Sequence, residues 1–272
     1  MAEYQVFQKL QSHLGTPITY ELVYSDRTTP LILGENINLY WTGTMTCLSC
    51  QSLIKKTFQN GYCFQCFSTK ASCDMCILRP ERCHYHLGTC REPNWGLAHC
   101  FTEHVVYLAN STGLKVGISR KSNIPQRWID QGAKEACVLL TCSNRLISGQ
   151  LESFLARTLS DKTKWQQLLQ GVDSPLDMSF AHAHWQNYLK MHLQAIGVSL
   201  SDVTWVDFQL QTFKYPVDAY ALKAKSIKLA IGDNQLGQLL GVRGQYLIFQ
   251  QGGLNMRNLQ GYHIINPSGS VR

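Results

Sequence analysis

Short runs in which apolar residues alternate with polar ones open and close this chain. Residues 1–46 contain ITYELVY and NINLYW, which are separated by the turn-forming stretches DRTTP and GEN. Residues 201–272 contain VTWVDFQLQTF, GQYLIF and GYHII. Such runs of β-branched and aromatic residues between turn signals are typical of strands. We therefore predict β-rich segments at residues 1–46 and 201–272, which could pair with each other into one domain.

Residues 101–200 combine strand signals with helix signals. HVVYLANSTGLKVGIS has a turn-forming cluster at residues 110–113 between two apolar runs, which predicts a hairpin. RKSNIPQRWIDQGA follows with Pro125 near the start of a helix, and ACVLLTC predicts a third strand. In SGQLESFLARTLSDKTKWQQLL the apolar residues have helical spacing: Leu151, Phe154, Leu155 and Leu159. The predicted element order is β-β-α-β-α.

Residues 47–100 hold nine of the cysteines and show little periodicity of either kind. A segment so poor in aliphatic residues cannot bury much apolar surface and needs another source of stability. We predict a zinc-ribbon-like, cysteine-rich module here. The whole chain is then an α+β protein, with this module, a small β-β-α-β-α domain at residues 101–200, and the β-rich segments on either side.

Composition narrows the function classes. Apolar residues make up 44% of the 272 residues and charged residues 16%, which is an ordinary globular balance. The net charge of +7 leans mildly toward polyanionic partners. The N-terminus lacks the pattern of a signal peptide, and no run reaches the ~18 apolar residues of a membrane span. We therefore expect a cytoplasmic protein without a membrane partner, in which cysteines serve metal binding or catalysis rather than disulfides. The oligomeric state is not indicated.

Four cysteines form the pattern CxxC-x12-CxxC: Cys47, Cys50, Cys63 and Cys66. Two CxxC turns can each point their sulfurs inward, and a hairpin between them brings all four to one tetrahedral ion. This spacing predicts a zinc site of the ribbon type. Four thiolates close the coordination sphere, so the predicted role of the ion is structural.

A second metal site is predicted from the cysteines that follow. Cys73 and Cys76 form another CxxC, and Cys83 is the expected third ligand. The fourth ligand could be Cys90, His86 or His84, and we favour Cys90. Zinc is expected here as well, although four thiolates also suit an iron–sulfur cluster. His99 and Cys100 remain as spare candidates, and Cys137 and Cys142 are expected to be core residues.

Four short motifs in the central region resemble a known family. They are VVYLA with Tyr107, KVGIS with Gly117, PQRW with Arg127 and QLESFL with Glu152. Residues 104–170 resemble a diverged GIY-YIG nuclease domain, of the branch whose second strand reads KIGIT. Val116 stands where that family has a second tyrosine. The cysteines with GTCREPNWG and KVGIS also resemble a zinc-containing protein family that has no established activity.

The GIY-YIG resemblance implies a Mg²⁺-dependent endonuclease that acts on DNA or RNA. Tyr107 would act as a general base, Arg127 would clamp phosphate oxygens, and Glu152 would hold the magnesium ion. Basic residues of the tail could follow a nucleic-acid backbone: Lys214, Lys223, Lys225 and Lys228. Two alternatives stay open, namely a DNA- or RNA-binding module without catalysis and a protein-interaction scaffold stapled by zinc.

Overall fold

The computed structural model describes residues 4–159 and 164–265, and these residues form two compact units. The first unit comprises residues 1–68, 165–172 and 214–272, and the second comprises residues 69–164 and 173–213. The cysteine-rich segment is therefore divided between them after Ser68. Each unit is built around its own sheets.

The described residues form the following strands and helices. In chain order, the strands are β1 (Gln5–His13), β2 (Thr19–Tyr24), β3 (Thr28–Pro30), β4 (Asn36–Thr46), β5 (Leu53–Ile54), β6 (His104–Asn110), β7 (Leu114–Arg120), β8 (Glu135–Cys142), β9 (Val203–Trp205), β10 (Gln211–Thr212), β11 (Ser226–Ile227), β12 (Gly232–Gln238), β13 (Gly241–Arg243), β14 (Tyr246–Phe249), β15 (Gly252–Asn255) and β16 (Tyr262–Ile265). The helices are α1 (Phe64–Thr69), α2 (Met75–Leu78), α3 (Pro93–Cys100), α4 (Gln126–Asp130), α5 (Arg145–Leu155), α6 (Trp165–Leu169) and α7 (Met178–Ile196). Within the described residues, no helix has both the length and the apolar character needed to cross a bilayer.

In the first unit, strands from the early and late parts of the sequence belong to one sheet. Its strand order is β12-β4-β16-β1-β2-β3, with β5 added beside β4. Strand β16 is antiparallel to both β1 and β4, so that Gln5 lies opposite Ile264. A second sheet of this unit has the order β11-β15-β14-β13. Helix α6 packs near it through the apolar side chains of Leu168 and Leu169.

In the second unit, β6 lies at the centre of an antiparallel sheet. Strands β7 and β8 flank it, and β9 and β10 both pair with β8. The order β6-β7-α4-β8-α5 is the predicted β-β-α-β-α order. One face of the sheet, which includes Val106 and Leu108, packs on apolar residues of α5 and α7. The ring of Tyr107, one position along β6, contacts Trp128 of α4 edge to face.

Two predicted elements are shorter than their patterns suggested. The amphipathic helix was expected to run through SGQLESFLARTLSDKTKWQQLL, but α5 ends at Leu155 and residues 165–169 form the separate helix α6. The N–H groups of Arg157 and Thr158 bond carbonyls three residues back, which tightens the last turn and ends the helix. The part of this segment at residues 160–163 lies outside the described residues. VTWVDFQLQTF likewise gives only the short strands β9 and β10.

Helix α5 lies directly on the cysteine-rich segment of its unit. Its fifth residue, Gly149, faces the 3-10 turn Pro80–Arg82, which lies between Cys76 and Cys83. A Cβ atom on Gly149 would overlap Pro80 and would lie 2.7 Å from the backbone nitrogen of Glu81. Glycine is therefore needed for this close approach, which ties the helix carrying Glu152 to the segment carrying the cysteines.

Gly149→Ala should destabilise the second unit. Alanine favours a helix over glycine by about 1 kcal/mol, but overpacking against backbone atoms costs about 1–3 kcal/mol. We expect the overlap to prevail because the backbone of Glu81 cannot rotate away as a side chain can. Urea unfolding measures the change, with Asn187→Ala, which introduces alanine at an exposed position of α7, as the control. A more stable Gly149→Ala protein would contradict the close packing.

Candidate functional site

The first candidate metal centre is a cluster of four cysteines, Cys47, Cys50, Cys63 and Cys66, in the first unit. Their sulfur atoms all lie within 4.8 Å of one another. Cys47 follows the end of β4, and Cys63 and Cys66 lie at the start of α1. We call this group the cysteine cluster. Its four sulfurs form a donor set that could bind zinc, as the spacing predicted.

Backbone N–H groups of the cluster point at its sulfurs. The N–H of Cys63 donates to Cys47 Sγ at 3.2 Å, and the N–H of Cys66 donates to Cys63 Sγ at 3.4 Å. The backbone of Gln51 turns through a φ of 61°, in the left-handed region, directly after the first CxxC. The N–H groups that donate to Cys47 lower its pKa although burial acts in the opposite direction, and they favour the thiolate, which is the form that binds a metal.

The thiols of the cluster differ sharply in acidity. Hydrogen bonds with Ser52 are the main cause that lowers the pKa of Cys50 to about 6. A hydrogen bond with Ser49 acts to lower the pKa of Cys66, but burial and the three neighbouring thiols raise it to about 12. Four thiolates held this closely repel one another, so a cation is needed for all four to ionise together. A divalent ion of the zinc type meets this requirement.

The cluster differs in one respect from the ribbon that the spacing predicted. The second CxxC, which was predicted to form a turn, lies at the start of a helix. The N–H groups at a helix start have no partners within the helix, and they are free to donate to sulfur. The helix start thus serves the same purpose as a hairpin turn would.

A second group of metal-binding side chains lies in the second unit. Ligand atoms of Asp74, Cys76 and His84 lie within 4.8 Å of one another, and this group could bind zinc. The same residues line a cavity together with Cys83, Cys90 and Cys100. We call it the thiol cavity. His86, one of the possible fourth ligands, is exposed at the surface, and Nδ1 of His99 lies 2.9 Å from the Trp95 carbonyl.

Cys73 was expected among the ligands of the second site, but it does not line the thiol cavity. It is buried at the end of the 3-10 turn Ala71–Cys73, whereas Cys76 lies in the next helix, α2. Asp74 has an extended backbone between them and caps α2 through a hydrogen bond from the N–H of Cys76. Cys73 and Cys76 therefore lie in different elements, although the CxxC spacing had suggested that they act together.

Tyr107, Arg127 and Glu152, here called the polar site, come from β6, α4 and α5. The hydroxyl of Tyr107 donates to Gln131 Oε1 at 3.1 Å. Arg127 is close enough to form a hydrogen bond with the same hydroxyl, and the charge of Glu152 also acts on it. The structure therefore brings the three side chains into one neighbourhood. Arg127 and Glu152 are half-buried there.

Gly117 makes room for Tyr107. The two residues lie opposite each other in the β6–β7 pairing. A Cβ atom on Gly117 would lie 2.6 Å from Cζ of Tyr107, so a larger residue would displace the ring. Tyr107 has 0% of its surface exposed, and this burial raises its pKa although Arg127 acts in the opposite direction. The hydroxyl consequently stays protonated at neutral pH.

Two polar residues beside these sites were not singled out from the sequence. Arg145, the first residue of α5, donates from Nη2 to the carbonyl of Ile77 at 2.7 Å. Burial lowers its pKa, while the charges of Cys100, Glu152 and Cys76 raise it. Arg145 thus lies within electrostatic range of both the thiol cavity and the polar site. No local motif marks it, because only the docking of α5 brings it there.

His104, the first residue of β6, is the other. It has 0% of its surface exposed, and its Nδ1 lies 2.7 Å from the carbonyl of Thr102. Burial lowers its pKa to about 4, and the nearby charges of Arg145 and Arg120 act in the same direction. His104 is therefore neutral at pH 7.

A model of the family described as "Protein of unknown function (DUF2797)" matches residues 34–264. The chain belongs to this family. The matched range includes the cysteine cluster, the thiol cavity and the polar site, so one family pattern spans the metal-binding segment and the sheet that carries Tyr107. This confirms the resemblance to a family without an established activity, whereas the GIY-YIG relation stays a prediction. Neither the curated proteins nor the solved structures contain a significant match.

Cys66→Ser should remove one equivalent of zinc from the protein and destabilise the first unit. Serine does not replace a thiolate as a zinc ligand, and the three remaining thiolates leave the coordination sphere open. Elemental analysis of the purified protein measures the loss. Cys137→Ala, at a buried cysteine in the core of the second unit, should keep the full zinc content. Equal zinc in wild type and Cys66→Ser would contradict the assignment.

His104 should make the second unit less stable in acid. Its pKa of about 4 lies below the ordinary value of 6.5, so the unfolded chain binds the proton first as pH falls between these values. The contribution of neutral His104 to stability is fully present above pH 6.5. The free energy of unfolding decreases by up to about 3 kcal/mol on acidification to pH 4. Urea unfolding across this range should show a smaller decrease for His104→Asn. His184→Asn, at an exposed position on α7, should behave as wild type.

Proposed function

We propose that the second unit binds nucleic acid and hydrolyses its phosphodiester bonds with the help of Mg²⁺, while zinc in the cysteine cluster has a structural role. The observation that supports this proposal is the meeting of a phenol, a guanidinium and a carboxylate at the polar site. Tyr107, Arg127 and Glu152 are the residues that the resemblance to GIY-YIG nucleases singled out. The central position of β6 between β7 and β8 provides the scaffold.

Arg127 is the residue suited to bind phosphate. A guanidinium presents N–H groups in a planar fork that matches two phosphate oxygens, and it stays charged at all relevant pH values. Arg127 is half-buried, where a charge interacts more strongly than it does in open water. Its hydrogen bond with the hydroxyl of Tyr107 orients the guanidinium. In the transition state, it would stabilise the negative charge that develops on the phosphate.

Glu152 is suited to hold a magnesium ion. Mg²⁺ prefers oxygen ligands and usually keeps several waters, so one partly exposed carboxylate together with substrate oxygens satisfies it. Glu152 is half-buried. The packing of Gly149 against Pro80 and Glu81 holds α5, and with it Glu152, at the polar site. A bound ion would supply positive charge that polarises the scissile phosphodiester.

Tyr107 acts in this proposal as a protonated hydroxyl that positions Arg127, and not as a phenolate base. Burial raises its pKa, so the phenol keeps its proton at neutral pH. It donates this proton to Gln131 Oε1, while its oxygen can accept from the guanidinium of Arg127 and hold it in place. Tyr107→Phe should therefore reduce cleavage without shifting the pH profile toward the alkaline range, which loss of a phenolate base would do.

Positive charge around the polar site favours a polyanionic substrate. The charges of Arg120 and Arg145 both reach His104, and Arg127 lies at the polar site itself. In the first unit, Lys214, Lys223, Lys225 and Lys228 are exposed. Exposed lysines can bind a phosphate backbone without regard to its sequence.

A second candidate function is binding of nucleic acid without cleavage. The burial of Tyr107 favours it, together with the apolar residue Val116 in the position of the second family tyrosine. Val116 has 1% of its surface exposed and belongs to the apolar core of the second unit. This side chain supplies neither a hydroxyl nor an open cleft at that position. A fold can keep its site for binding while the chemistry is lost.

Cleavage of labelled DNA and RNA with Mg²⁺ distinguishes the two functions. Arg127→Ala and Glu152→Gln should each lower the rate by about 10²-fold or more, which is typical of losing one group that stabilises the transition state. Arg82→Ala and Glu35→Gln alter exposed charges elsewhere and should cut at the rate of wild type.

If the wild type does not cut, or if all four variants cut equally, the hydrolysis proposal fails. Binding is then measured at several salt concentrations. A binding constant whose logarithm falls steeply with the logarithm of salt, and which Arg127→Ala weakens, supports the binding module. Salt-independent or undetectable binding would exclude both functions and leave the scaffold stapled by zinc.

A further inference from the structure

We propose that the second unit holds a zinc ion of its own on the thiolates of Cys76, Cys83, Cys90 and Cys100. This ligand set replaces Cys73 with Cys100 relative to the set that sequence spacing suggested. It also differs from the group formed by Asp74, Cys76 and His84. The proposal does not depend on any nuclease activity, since it concerns only the metal and its ligands.

The four cysteines reach the thiol cavity from different elements. Cys76 belongs to α2, Cys83 follows the 3-10 turn Pro80–Arg82, Cys90 lies in a loop, and Cys100 ends α3. All four line the same cavity, whose volume is about 20 Å³. A space of this size holds one ion or one water molecule.

The thiols that line the cavity are close enough to act on one another electrostatically, since Cys83 and Cys100 both act on Cys76. The thiol of Cys100 is in turn affected by Cys83 and Cys90. The Sγ atom of Cys90 also lies 3.3 Å from the place where a Cβ on Gly96 would be, so α3 approaches it closely at a glycine. One divalent ion would offset the repulsion among the four thiolates.

Asp74 and His84 have protein partners for the atoms that would otherwise bind a metal. Asp74 Oδ2 pairs with Nε of Arg91 at 2.8 Å, and Oδ1 accepts from the N–H of Cys76 at 3.3 Å. His84 Nδ1 lies 2.8 Å from Oγ1 of Thr89, and Nε2 lies 3.5 Å from Asp74. These bonds suit groups that orient the ligands from outside the coordination sphere. The thiols are the soft donors left in the cavity, and they select zinc over magnesium.

Arg145 gives the centre a cationic neighbour. A zinc ion with four thiolates carries a net charge of −2, and a half-buried site of this charge is stabilised by a nearby cation. The charges of Cys76 and Cys100 both act on Arg145. Its bond to the carbonyl of Ile77 fastens the start of α5 to the residue next to Cys76. Filling the thiol cavity would therefore also fix the helix that carries Glu152.

Metal content of paired cysteine variants tests the ligand set. Wild-type protein, purified without added metal, should contain two equivalents of zinc by elemental analysis. Cys100→Ser should contain one, and Cys73→Ser should contain two, although both cysteines are buried in the same segment. His84→Ala should also keep two. Loss of zinc in Cys73→Ser or His84→Ala, full zinc in Cys100→Ser, or iron with acid-labile sulfide would each overturn the proposal.

A cobalt experiment keeps the test valid if Cys100→Ser fails to fold. In the full-length variant Cys50→Ser/Cys63→Ser, the cysteine cluster is disabled and the second unit is unchanged. Cobalt(II) should bind it with one equivalent and should show intense tetrahedral bands with sulfur-to-cobalt charge transfer of four-thiolate strength. A weaker charge-transfer intensity, as expected for one thiolate with a carboxylate and an imidazole, would overturn the proposal, and so would the absence of cobalt binding.

Discussion

Repulsion between thiolates held a few ångströms apart is the constraint on which much of this structure depends. The segment from Cys47 to Cys100 has too few aliphatic residues to bury a core of its own. Its backbone brings four sulfurs within 4.8 Å of one another in the first unit, and four of its cysteines line one cavity in the second. Such an arrangement is unfavourable for ionised thiols unless a cation offsets their charge. When a metal binds, its charge offsets the repulsion and metal–sulfur bonds form. The free energy of binding then contributes to the free energy of folding.

Close packing of α5 links the cysteine-rich segment of the second unit to the polar site. Gly149 allows α5 to lie against the turn between Cys76 and Cys83, and Arg145 bonds the carbonyl next to Cys76. The same helix carries Glu152. The cysteine-rich part of the second unit is therefore part of the support for the polar site. Gly149 allows the close approach of α5, and Arg145 holds the start of the helix there through its hydrogen bond.

The environment of Tyr107 shows how burial decides the chemistry of a side chain. The phenol lies over Gly117, contacts Trp128 and donates to Gln131. Taking it out of water raises the free energy of the phenolate more than Arg127 lowers it, so the proton stays on the oxygen. The motif around Tyr107 suggested a base, but its surroundings favour a donor.

Local pattern was sufficient for the order of strands and helices around β6, because strand and helix periods depend only on neighbouring residues. It was also sufficient for the cysteine cluster, where two CxxC turns place sulfurs within a few residues of each other. It was not sufficient for the thiol cavity, which Cys100 lines together with Cys76 from 24 positions away and which Cys73 does not line. Nor could it indicate Arg145 or His104, whose positions depend on how α5 packs against the sheet and the turn at Pro80. Spacing determines what adjacent residues can do together, whereas the meeting of distant side chains and their exposure to water depend on tertiary packing.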